Sequence, residues 1–111
     1  MAGEGEGEVP EGVAVLPPIP EELGVDPLLL AVLHATVFLT GSDEGIVDPE
    51  AAEETLHYIA TYLQRLGGPR LDSIREDLLT LAGFARQQRW PKEEIRFLED
   101  FLLHYGIEKK G

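Results

Sequence analysis

The chain contains no cysteine among its 111 residues. Disulfides, thiolate metal sites and cysteine nucleophiles are therefore excluded. That absence fits a reducing compartment, with the cytoplasm as the default expectation. Basic residues are few, nine Lys and Arg against 21 Asp and Glu, for a formal net charge of −12. A surface with that balance repels phosphate backbones and anionic lipids, which argues against nucleic acid and membrane surfaces as partners. Serine is nearly missing as well: Ser42 lies in a loop and Ser73 on a helix back, neither in a nucleophile turn. With so thin a supply of nucleophiles and no paired proton-transfer groups, a non-enzymatic protein is expected. The N-terminus is acidic and glycine-rich and lacks the basic start and apolar run of a signal peptide.

Long apolar runs are also scarce, with one exception. Residues 28–39 are apolar except for His34 and Thr36. A helix here would rise only about 18 Å, too short for a hydrocarbon core of about 30 Å, so no membrane span is expected. It would also have no polar face, so it needs cover on nearly every side, from this chain or from another copy of it. It reads as the central helix of a small bundle, with His34 as a hydrogen-bonded core histidine.

From residue 27 onward the punctuation is regular. Pro27, Pro49, Pro69 and Pro91 each open a helical pattern, where a missing N–H matters least, and Asp26 and Asp48 precede two of them as N-caps. Gly41, Gly67–Gly68 and Gly106 close three helices, with Ile107 suited to a Schellman-type ending. Four helices are predicted, at about 27–40, 49–66, 69–88 and 91–105. The second carries a stripe of Ala52, Leu56, Ile59, Leu63 and Leu66. The third has Leu71, Ile74, Leu78, Leu81 and Ala85, and the fourth Ile95, Leu98, Phe101, Leu102 and Tyr105. Tyr58, Tyr62, Leu79, Phe84 and Phe97 fall beside these stripes and could widen the core or form an interface. Pro27 to Pro69 and Pro49 to Pro91 share one separation, as two helical hairpins of similar length would. The fold expected is all-α, a four-helix domain over 25–108 in two antiparallel hairpins, preceded by a disordered acidic and proline-rich tail over 1–24. Within that tail, residues 13–20 are apolar and proline-stiffened. They suit either a strap across the bundle or a docking peptide with PxxP spacing.

Three groups could carry chemistry. Glu54 and His57 have the Glu-x-x-His spacing of carboxylate metal sites in bundles, but no second copy follows 42 residues later, where Arg96 and Glu99 stand. Arg86, Arg89, Lys92 and Arg96 surround Trp90 as the only basic patch. They form either a capped helix corner or a site for an acidic peptide or small anion, the chain's own acidic tail included. The loop at 41–50 gathers Asp43, Glu44, Asp48 and Glu50 around Gly45. Clustered oxygens of this type suit a hard divalent cation such as calcium, although the spacing is not that of an EF-hand, and a solvated turn capped by Asp48 accounts for the same residues.

The run Glu44-Gly45-Ile46-Val47-Asp48-Pro49-Glu50, between an apolar and an amphipathic helix, resembles the acidic turn of tellurite-resistance B (TerB-like) domains. That resemblance implies an all-helical module linked to stress responses, with Glu44, Asp48 and Glu50 binding a metal ion. Glu44 stands where the family usually has Asp, and Ala51 replaces its second Glu. Two functions are thus expected: a helical protein-interaction module that self-associates or docks on a protein partner, or a TerB-like divalent-cation-binding module. The former needs no cofactor.

Overall fold

The computed structural model describes residues 10–107. The described residues are all-helical: a 3-10 turn at Glu21–Leu23, then α1 (Pro27–Gly41), α2 (Pro49–Leu63), α3 (Gly68–Gln87) and α4 (Lys92–His104). Sequence neighbours pack together, α1 with α2 and α3 with α4, as two antiparallel hairpins. The acidic stretch at residues 1–9 lies outside the described residues.

The caps follow from the residues that punctuate the chain. The Asp26 carboxylate accepts from Leu28 N (2.9 Å) and Asp48 from Ala51 N (2.9 Å), each with proline in the first turn behind it. Gly106 adopts φ +76°, which lets Ile107 N donate to Leu102 O and close α4 in the expected manner. α2 stops at Leu63, earlier than its apolar stripe suggests, and residues 64–66 continue as turns. Gly67 and Gly68 accordingly open α3 instead of closing α2.

Leu33, Leu81, Leu98 and Phe101 form the centre of the core, joined by Ile74, Leu78, Ala85 and Leu102. The segment at 13–20 lies against it as an extended strap: Leu16 is buried in the same cluster, and Ala14 N donates to Ser42 Oγ. The approach is close at Gly41, where a Cβ would come within 2.8 Å of the Ala14 Cβ.

α1 is not surrounded by its own chain. Leu29, Leu33 and Thr36 face the core, and Thr36 Oγ1 satisfies itself on Val32 O. The opposite face, Leu28, Ala31, Ala35 and Phe38, is in water, with Leu28 66% and Phe38 37% exposed. Three neighbours and a strap cannot enclose a helix that is apolar all round. His34 is half-buried on a flank and makes no hydrogen bond among the described residues, so it is not the hydrogen-bonded core histidine expected.

Candidate interaction surface

The acidic loop is shaped by its backbone. Asp43 N donates to Gly12 O, and Asp43 O accepts from Ile46 N and Val47 N, which curls the loop into a turn ahead of α2. Asp43, Glu44, Asp48 and Glu50 are all exposed. The Asp48 carboxylate is engaged as the α2 cap, and Glu50 lies in the first turn, where a negative charge meets the positive helix end. No group of three or more His, Asp or Glu among the described residues is held closely enough to take a metal ion. Calcium at millimolar concentration is expected to leave the melting temperature unmoved, because Asp48 is committed to the α2 cap and no three carboxylates are held together among the described residues. A formed site at a hundredfold excess over Kd would instead add about 2.7 kcal/mol, readily seen by scanning calorimetry.

The basic corner is partly consumed by structure. Trp90 is buried against the Phe84 ring edge-on, with centroids 6.1 Å apart, and its backbone N–H donates to Ala85 O. This is a Schellman closure of α3 in which Arg89 takes the left-handed position, φ +60°. Arg86 is paired with Glu99 across the α3–α4 hairpin. Lys92 and Arg96 are exposed on α4. Of the four cations, Arg86 is thus engaged by Glu99, while Lys92 and Arg96 remain exposed. Since a side chain in the left-handed region costs about 1–2 kcal/mol, Arg89→Gly is expected to raise stability by about 0.5–1 kcal/mol in chemical denaturation, the remainder being lost to glycine's larger unfolded entropy. Nearby, burial first and Glu93 second raise the Glu94 carboxyl above its ordinary range, and Glu94 Oε1 has no hydrogen-bond partner.

Two recesses were not anticipated. His57 and His104 both line an open cleft between α2 and α4, with Glu53 on one wall and Gln64 Nε2 donating to Tyr105 O across it. The other is an apolar cavity of about 90 Å³, formed by Leu28, Leu29 and Val32 of α1, Leu63 at the end of α2 and Leu66 beyond it, Ile74 of α3 and Phe101, Leu102 and Ile107. Asp26 and Arg70 line it as well, and the exposed Leu28 places the opening beside the outer face of α1.

That outer face is the most unusual surface of the molecule. Pro27–Gly41 carries no Asp, Glu, Lys or Arg in a chain of net charge −12. On α2, Tyr58 and Tyr62 lie one turn apart, and the Tyr58 ring meets His57 edge-on at 5.9 Å beside Glu50, Glu53 and Glu54. Both tyrosines are more than half exposed. The Arg65 guanidinium lies 4.9 Å from the Tyr62 ring centroid, covering part of it. On the α1 face itself, Leu28 and Phe38 are the large apolar residues left in water, one near each end of the stripe. No helix among the described residues is long and apolar enough to cross a membrane. No protein-family model, curated protein or solved structure matches the chain.

Proposed function

We propose that the protein is a non-enzymatic helical interaction module that self-associates, with the outer face of α1 as its contact surface. One observation carries this reading: an exposed, uncharged apolar helix face in an otherwise strongly acidic molecule. Burial of that face removes apolar area from water at about 25 cal/mol per Å² without desolvating any charge. The remaining acidic surface opposes association, so screening helps it. Sedimentation at tens of micromolar is expected to show a species heavier than one chain. Its weight fraction should rise when salt goes from about 20 mM to 300 mM, as the Debye length shortens. Phe38→Glu places a charge on the face while leaving the core side of α1 untouched, and it should raise the dissociation constant at least tenfold. A chain that sediments as a monomer at every concentration up to about 100 µM would overturn the reading.

A further inference from the structure

We infer that the partner on this face is a second copy lying antiparallel, α1 across α1, around a two-fold axis at the level of residue 33. This inference rests on the self-association reading above and specifies its geometry. Leu28, Ala31, Ala35 and Phe38 are spaced three, four and three residues apart, so the exposed stripe reads the same in both directions. A two-fold interface needs a self-complementary surface, in which residue i meets j and j meets i. In the antiparallel register Leu28 meets Phe38 of the second copy and Ala31 meets Ala35. The two alanines at the centre allow the helix axes to approach closely, and the large residues close the ends. Phe38 of the second copy is then set against Leu28, at the edge of the apolar cavity that Leu28 lines with Val32 and Leu63.

Charge selects this direction over the parallel one. The loop at the C-terminal end of α1 carries Asp43, Glu44, Asp48 and Glu50 and no cation. A parallel pair would bring two such loops together. The other end of α1 has Arg70 beside Leu28 in the cavity lining and Arg65 over Tyr62, alongside the carboxylates of Glu21, Glu22, Asp26 and Asp77. An antiparallel pair places each acidic loop near that mixed end, and it also opposes the two helix dipoles.

The absence of cysteine makes the register directly measurable. Ala31→Cys and Ala35→Cys chains, each keeping Leu28 and Phe38, are mixed in equal amounts and oxidised, and the cross-linked peptides are quantified by mass spectrometry. Four helical residues rise about 6 Å, and a disulfide requires Cα atoms within about 7 Å, so the two registers give different products. The 31–35 link is expected to exceed the combined 31–31 and 35–35 links at least fivefold, and Phe38→Glu in both chains should abolish it. A preference for 31–31 and 35–35 would overturn the antiparallel register while leaving self-association standing. Heavier species by sedimentation with no cross-link at either position would place the contact elsewhere and overturn the inference. A monomer by sedimentation would remove both it and the reading beneath it. Should Phe38→Glu fail to fold by circular dichroism, Leu28→Glu in the first turn serves the same purpose.

Discussion

Leu33→Ala is expected to lower the unfolding free energy by about 2–5 kcal/mol, measured by urea denaturation at one fixed chain concentration. Leu33 has no exposed surface and sits mid-helix, on the side of α1 opposite the water-facing stripe. Its removal leaves a hole next to Leu29 and Thr36, whose backbone is locked in the helix and whose Oγ1 is committed to Val32 O. Little collapse is available there, so both the transfer term and the cavity term should appear. Ala35→Ser, on the opposite face of the same helix, supplies the contrast: its effect on a single chain should stay within about 0.5 kcal/mol. Fixed concentration matters because association through the outer face would add a mass-action term to any apparent stability. A loss below about 1 kcal/mol at Leu33 would mean that α1 does not present this side to the core.

The contrast between Leu33 and Ala35 marks where sequence reasoning reaches its end. The start of α1 was legible, because Asp26 and Pro27 act locally; Gly41 does not close the helix as expected but is its last residue, with Ser42 as the C-cap. The orientation of α1 was not. An amphipathic helix announces its buried side by periodicity, as α3 does with Ile74, Leu78, Leu81 and Ala85. A helix apolar on every side has no such phase, and only its tertiary neighbours decide that Leu29, Leu33 and Thr36 turn inwards. The same limit hid His57 and His104, which sit on α2 and α4 and meet along one cleft only because the two hairpins stack. The basic corner shows the converse. Arg86, Arg89, Lys92 and Arg96 are neighbours in sequence, yet Arg86 is tied to Glu99 and Arg89 takes the left-handed position of a Schellman turn, neither of which their spacing announces. The acidic loop was legible as a capped turn, since Asp48 acts within three residues of itself.

Phe101→Ala is expected to have the larger effect of the two core truncations, about 3–5 kcal/mol. Phe101 is 1% exposed and is the largest fully buried side chain. Its ring meets Phe97 edge-on at 5.6 Å and lies tilted against Tyr105 at 5.1 Å, contacts worth about 0.5–1.5 kcal/mol each beyond burial. It also forms part of the wall between α1, α3 and the end of α4, where a cavity of about 90 Å³ already exists. Truncation would merge the two spaces, and each Å³ of residual cavity adds about 24 cal/mol to the loss. The lining is almost entirely apolar, so water gains little by entering and an apolar solute gains much. Benzene should therefore recover part of the lost stability in the Phe101→Ala chain, following RT ln(1 + [L]/Kd), and should shift the parent chain far less. Thermal melts with and without saturating benzene check this. A truncation costing less than about 1 kcal/mol would show that α4 does not close the core through Phe101.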